Sequence, residues 1–201
     1  MDDVKIALAS LSQQEAQAYA ALDTQVQDLS NQIQEDSNKA FLELLKKLGK
    51  KGVIVNESEV PPECRFIPGI SEIQPLTKKL NSYDCLVFLD CSDGSRAGRL
   101  ASIIPRHIPT LSIDHHVSNT HFASVNWVSL NASCTCEMIY RLYQALKMPV
   151  DRGPAIMLYA GIVVDTGSFR FSNTTSICHR IAASLIAQGV NPAKMHHHLF
   201  E

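Results

Sequence analysis

Between Gly49 and Asn119, short apolar runs alternate with polar, turn-forming stretches. Gly52-Val-Ile-Val55 is a short strand candidate, followed by a polar turn and Pro61-Pro62. Cys85-Leu-Val-Phe-Leu89 is a continuous apolar run of strand length, and Thr110-Leu-Ser-Ile113 supplies the next strand. Between these, Ile73 to Leu80 reads as a short helix and Arg96 to Ile104 as another, stopped by Pro105. Strands separated by short helical stretches predict an α/β fold, with a mostly parallel sheet flanked by helices.

The pattern differs on either side of this region. Leu22, Val26, Leu29 and Ile33 recur at three and four residues, and Phe41, Leu44, Leu45 and Leu48 continue the stripe up to Gly49. Residues 13–48 therefore read as one long helix or two shorter ones. No β-branched run suited to an inner strand precedes them. From Ser133 the chain turns predominantly helical. Cys136, Ile139, Tyr140, Tyr143 and Leu146 form an apolar stripe on a helix that ends before Pro149. Residues 154–164 read as a buried helix because Ala155, Met157, Leu158 and Ala160 favour helix over strand. Helices over 175–188 and 192–200 follow, separated by Gly189 and Asn191-Pro192.

Composition narrows the class without choosing a function. A chain of 201 residues, 45% hydrophobic and 19% charged, is long enough for one soluble domain, or one plus a fragment. A net charge of -2 gives no general attraction for nucleic acid or anionic lipid. No apolar run approaches the roughly eighteen residues of a membrane span, and Met1-Asp2-Asp3 is unlike a signal peptide, so no membrane association is expected. Cys64, Cys85, Cys91, Cys134, Cys136 and Cys178 form no Cys-x-x-Cys pair, which argues against structural zinc and for a reducing, cytoplasmic setting. Cys85, within an apolar run, is expected to be a small buried hydrophobe.

Chemistry concentrates where apolar runs end. Asp90 follows Leu86-Val-Phe-Leu89, and Asp114 follows Leu111-Ser-Ile113, at the carboxyl ends where an open α/β sheet presents functional groups. A strand-terminating or turn-capping aspartate is the plain alternative for either alone. His115 and His116 change that balance. His115 can ligate a metal through one ring nitrogen while a carboxylate or carbonyl fixes the other nitrogen, and Asp114 is the natural group to orient a histidine. His116 projects differently and could donate to a phosphate or a leaving oxygen. Asp165-Thr-Gly167 adds a third acid, competing with a helix-end cap. Arg96 could hold a phosphate or pair with Asp93. Oxygen and imidazole donors suit manganese or magnesium, and such an ion acidifies water and offsets charge on phosphoryl oxygens. Spacing alone leaves the reaction as broad as phosphoester, pyrophosphate or other metal-assisted hydrolysis. His196-His197-His198 reads as a solvent-facing turn, since consecutive helical residues diverge by about 100 degrees and cannot all face one ion. Lys46, Lys47, Lys50 and Lys51 read as a solvated helix end, and Trp127 as a structural aromatic that could alternatively stack a base.

Three longer segments carry a family resemblance. They are Leu89-Asp-Cys-Ser-Asp93-Gly-Ser-Arg96-Ala-Gly, Ile113-Asp-His-His116-Val-Ser-Asn119 and Asp165-Thr-Gly-Ser-Phe-Arg170-Phe-Ser-Asn173, with Arg65-Phe-Ile-Pro-Gly69 and Tyr159-Ala-Gly161-Ile in support. Together they resemble the DHH phosphoesterases, in particular the bacterial branch of oligoribonucleases and 3'-phosphoadenosine-5'-phosphate phosphatases. The resemblance covers about residues 41–200. It implies Asp90, His115 and Asp165 as metal ligands, His116 as the acid or substrate-contacting group, Asp114 as its orienting partner, and Arg96 and Arg170 as substrate contacts. It further implies manganese, with magnesium as the alternative, and a small nucleotide or short single-stranded oligonucleotide as substrate.

The resemblance breaks at the front. Family members usually open with a strand, a histidine and a Pro-Asp-Gly-Asp segment before a helix. Here Asn31 and Ile33 stand near the expected aspartates, no histidine precedes His107, and Glu35 or Asp36 reaches those positions only after a change of register. The expectation is a divergent helical segment over 1–34 and a partial DHH domain over 35–201, without the usual C-terminal substrate domain. The metal site would then be mononuclear or weak, unless a homodimer or a complementing chain supplies the absent donors. The function expected is a metal-dependent phosphoesterase whose activity the missing donors call into question. The alternative is a noncatalytic metal- or nucleotide-binding protein, or a truncated inactive product.

Overall fold

The computed structural model describes residues 35–56, 73–75, 83–98 and 103–200. The stripe through Leu22 and Ile33 and the Arg65 to Gly69 segment lie outside them. Helix α1 covers residues 35–47 and closes at Gly49, whose φ of 70° is the left-handed turn expected of a helix-terminating glycine. Strands β1 (Ile54–Asn56) and β2 (Ile73–Pro75) pair in parallel. A second parallel sheet runs in the order β3 (Leu86–Leu89), β4 (Thr110–Asp114), β5 (Val125–Val128). Four helices follow: α2 (Thr135–Ala145), α3 (Arg152–Asp165), α4 (Ser176–Ala187) and α5 (Pro192–Phe200). The parallel sheet and the helical C-terminal part match the α/β reading.

Helix α3 organises the core. Its sequence is apolar around nearly the whole circumference, so a stable position for it is one covered on all sides. Met157 through Val164 are accordingly buried, and the helix packs against α2, α4 and α5. Gly161 makes the α2–α3 contact close, because a Cβ there would lie 2.4 Å from Cys136 Sγ. Helix α1 is tied to this core by Tyr143, whose hydroxyl donates to the Ala40 carbonyl at 3.0 Å, and by a Lys47–Asp151 ion pair.

Several elements depart from the sequence expectation. Residues 73–75 form β2 instead of opening a helix through Leu80; Pro75 deprives a helix interior of a donor but suits the end of a short edge strand. The segment from Arg96 carries a 3-10 turn, Gly94–Ala97, capped by Asp93 through its bond from Ser95 N at 2.8 Å; residues 99–102 lie outside the described set. Cys85 is exposed, because it precedes β3 at the surface rather than lying within the strand. His196, His197 and His198 belong to α5 instead of a turn, and are exposed as expected. Trp127 sits on β5, half-buried against the core.

Candidate metal centre

The carboxyl ends of β3 and β4 lie side by side because the strands are parallel neighbours, with Leu89 opposite Ile113. Asp90 leaves β3 with φ 56°, a left-handed conformation that aspartate tolerates better than most residues. Its backbone N–H still donates to Ile113 O at 3.1 Å, so the turn is anchored to β4. Its carboxylate accepts from Thr135 Oγ1 at 2.7 Å, in the first turn of α2. That turn is set by Cys134 as N-cap, whose side chain accepts from Glu137 N, and by the Glu137 carboxylate, which accepts from Ser133 N and Ser133 Oγ just before the cap at 3.1 and 2.7 Å.

His115 and Asp165 arrive from opposite directions, one just after β4 and the other as the last residue of α3. The same imidazole atom, His115 Nε2, lies 3.5 Å from Asp90 Oδ1 and 3.4 Å from Asp165 Oδ2. Neither His115 Nε2 nor Asp165 Oδ2 has a hydrogen-bond partner, and both atoms are buried. Unpartnered buried polar atoms are rare and require an explanation. Two donors each about 2.1 Å from one ion lie roughly 3.0–3.5 Å apart at tetrahedral or octahedral angles. The donor set and its spacing therefore fit a divalent cation. Ligand atoms of Asp90, His115 and His116 also lie within 4.8 Å of one another.

Beside these donors stands a second, hydrogen-bonded layer. Asp114 Oδ1 meets His116 Nδ1 at 2.7 Å, and Asp114 Oδ2 accepts from Asn119 Nδ2 at 2.6 Å. Asn119 also donates to Cys91 O at 3.3 Å, and Thr120 N donates to Ser92 O at 2.8 Å, so the loops after β3 and β4 hold one another. With Nδ1 occupied, His116 presents Nε2 away from Asp114.

Electrostatics separate the titrating groups. Burial and the nearby Asp90 charge push the Asp165 carboxyl up to about 7, against a lowering effect of His116. Burial lowers the His115 imidazole, which favours the neutral, ligating form despite the Asp90 charge. The hydrogen bond that His116 donates to Asp114 raises the imidazole, outweighing its burial. Burial alone would raise Asp114, but the bonds from His116 and Asn119 bring it below the usual carboxylate range.

The sequence-predicted residues are thus brought together in part. Asp90, His115, Asp165, His116 and Asp114 converge. Arg96 is exposed and donates to Ser92 Oγ at 3.3 Å, while Asp93 accepts from Ser95 and Thr120 instead of pairing with it. Arg170 is exposed, with Nε donating to Gly167 O at 2.8 Å. Asp36 is buried beside Gly161, with neither carboxylate oxygen bonded, and is not among the grouped ligand atoms. Burial and the Glu35 charge raise it well above the usual range. Two contributors were missed. Thr135 and Asn119 stand in a cap-like Ser-Cys-Thr run and a post-histidine turn, but only the fold reveals which carboxylate each one holds.

Known proteins resemble this chain in sequence and in fold. The sequence model of the DHH family, N-terminal domain, matches residues 6–162. A Thermus thermophilus protein named bifunctional oligoribonuclease and PAP phosphatase NrnA is 33% identical over 151 residues, 75% of this chain and 45% of that protein. Its Bacillus subtilis namesake is 29% identical over 143 residues, 70% of this chain and 44% of that protein. The chain thus spans somewhat under half the length of these relatives. A solved exopolyphosphatase-related protein of Bacteroides fragilis superposes with a TM-score of 0.74 at 19% identity, over 82% of this chain and 52% of that one.

Proposed function

Since this chain belongs to the DHH family, we propose that it is a metal-dependent phosphoesterase acting on short oligonucleotides or small nucleotide phosphates. The observation that carries this reading is the pair of buried, unpartnered atoms His115 Nε2 and Asp165 Oδ2, 3.4 Å apart and facing Asp90. The names of the Thermus and Bacillus relatives support the substrate class.

Asp90, His115 and Asp165 would hold manganese, or magnesium in its place, with Thr135 fixing the Asp90 carboxylate. When bound, such an ion acidifies water and offsets negative charge at phosphorus. Asp114 is a positioning residue: by engaging His116 Nδ1 it aims Nε2 outward and raises the imidazole, so that His116 can hold a proton for a leaving oxygen. Arg96 and Arg170, exposed on the loops after β3 and α3, would position phosphate oxygens. The partial domain would comprise residues 35–201, with a homodimer or a complementing chain as the source of further donors. A reducing, cytoplasmic setting is supported by the free thiols of Cys85, Cys91, Cys134, Cys136 and Cys178. No helix among the described residues is long and apolar enough to cross a membrane.

A second reading draws on the same cluster: metal or nucleotide binding without turnover. Its support is that the grouped ligand atoms among the described residues are Asp90, His115 and His116, a set for one ion. Manganese-dependent cleavage of a dinucleotide separates the two readings. Turnover that His115→Ala abolishes supports the enzyme, and manganese binding without turnover supports the binding protein. Full manganese-dependent activity in His115→Ala overturns the site.

A further inference from the structure

The turn that carries the chain out of α3 is unusual in its backbone. Gly167, Ser168 and Phe169 have φ of 56°, 58° and 65°, three consecutive left-handed residues of which two are not glycine. Non-glycine residues enter this region at a cost and persist where surrounding contacts over-determine them. Those contacts are present. Ser168 N donates to Val163 O at 2.7 Å, and Arg170 N and Phe171 N both donate to Thr166 O, at 2.9 and 3.0 Å. Asn173 Nδ2 donates to Asp165 O at 3.0 Å and to Ser133 O at 2.9 Å, closing the turn onto the first residues before α2.

This scaffolding holds an aromatic ring in the open. Phe171 is 56% exposed although it is a large apolar side chain. Its ring lies close over Gly167: a Cβ there would be 2.5 Å from Phe171 Cζ, so the ring occupies the space that any other residue at 167 would fill. By contrast, Phe169 turns inward to stack on His179, with ring centroids 4.9 Å apart. A water-exposed ring thus lies over Gly167, whose carbonyl also accepts from the exposed guanidinium of Arg170. Val117, 88% exposed directly after His116, adds a second apolar side chain on the loop beyond β4.

We propose that Phe171 is the stacking platform for a nucleobase of the substrate, with Arg170 beside it taking a phosphate, so that this turn selects nucleotides over base-free phosphoesters. This inference rests on the proposed function and names the group that would confer its nucleotide preference. Its chemistry is general: every base has a π-face, and stacking on an exposed aromatic is tolerant of sequence. A flat ring and a cation on the turn that starts at the donor Asp165, and is tied back to it by Asn173, match the base, phosphate and scissile bond of one ligand.

The test compares two ligands on the full chain loaded with manganese, by calorimetric titration. One is a diadenylate made uncleavable by a methylene group in place of the leaving oxygen of its link; the other is the same link between abasic sugar units. Phe171→Ala should weaken diadenylate binding by between about fivefold and a hundredfold while leaving the abasic ligand unchanged. Phe171→Trp should restore binding, and Phe171→Leu, apolar but without a π-face, should not. Thermal unfolding of each variant checks that the turn survives. Equal losses for both ligands, or no loss for either, overturn the platform and point to a packing contact or an interface instead. If the unaltered chain binds neither ligand and cleaves no dinucleotide, the proposed function fails, and the platform with it.

Discussion

Asp165→Asn offers the sharpest test of the metal centre, because the structure gives the wild-type residue a cost that the amide escapes. The carboxyl moves from its ordinary 3.8 to about 7, about three units, and each unit corresponds to ~1.4 kcal/mol. For an acid with a raised folded-state value, the penalty is absent below the unfolded value, grows as pH rises, and is complete above the folded value. The ion-free chain should therefore lose about 4 kcal/mol from this group between pH 4 and 8, of which roughly 2–3 kcal/mol falls between pH 5 and pH 8. Asparagine keeps the shape without the charge. Its amide carries its own unmet hydrogen bonds, so the slope with pH, not the absolute difference, is the quantity to read. The assay is urea unfolding in chelator at pH 5 and pH 8, followed by the fluorescence of Trp127, the single tryptophan, which packs against the core. The stability of the variant relative to wild type should rise by roughly 2–3 kcal/mol over that interval. Excess manganese should then narrow the gap at pH 8, adding about 2.7 kcal/mol to wild type at a hundredfold excess over its dissociation constant, and far less to the variant. A difference flat with pH to within about 0.5 kcal/mol, or an equal manganese gain in both proteins, would refute the reasoning.

Two further outcomes follow from close contacts. Thr135→Val removes the 2.7 Å bond to Asp90 at nearly constant volume, and should raise the manganese dissociation constant about 10- to 100-fold by calorimetry; unchanged affinity would show that Thr135 does not orient the ligand. Gly161→Ala places a methyl 2.4 Å from Cys136 Sγ and should destabilise the fold by about 1–3 kcal/mol. Adding Cys136→Ala should recover much of this loss, whereas strictly additive effects in thermal unfolding would mean that the clash is elsewhere.

What the sequence disclosed and what it withheld divide along physical lines. Strands β3 and β4 are legible because Leu86 to Leu89 and Leu111 to Ile113 are flanked by polar turns and covered on both faces. Helix α3 is legible because its small apolar residues have no polar side. Strand β5 is not, since Val-Asn-Trp-Val is short and mixed, and becomes a strand only by pairing with β4. Strand β2 misleads because Ile73, Leu76 and Leu80 mimic helical spacing, while Pro75 says otherwise. At the site, the acids and histidines announce themselves by type and position, but nothing in their spacing brings Asp165 to His115. Fifty residues of chain separate the two, and the likeness to a known family carried that step. Thr135 and Asn119 are ordinary capping and turn residues until the tertiary fold points them at a carboxylate.

The left-handed backbone at Asp90 has an evolutionary consequence. Its φ of 56° is a region that glycine occupies freely and other residues enter at a cost of about 1 kcal/mol or more. Asp90→Gly would relax the turn and delete a buried negative charge while erasing a ligand, so folding and ion capture pull in opposite directions at this codon. Lineages that no longer need the ion meet only the loss of the Thr135 bond against that exchange, set against the relief of the turn. An aspartate retained there in a homologous chain that lacks the Thr135 hydroxyl is therefore a sign of selection for cation capture.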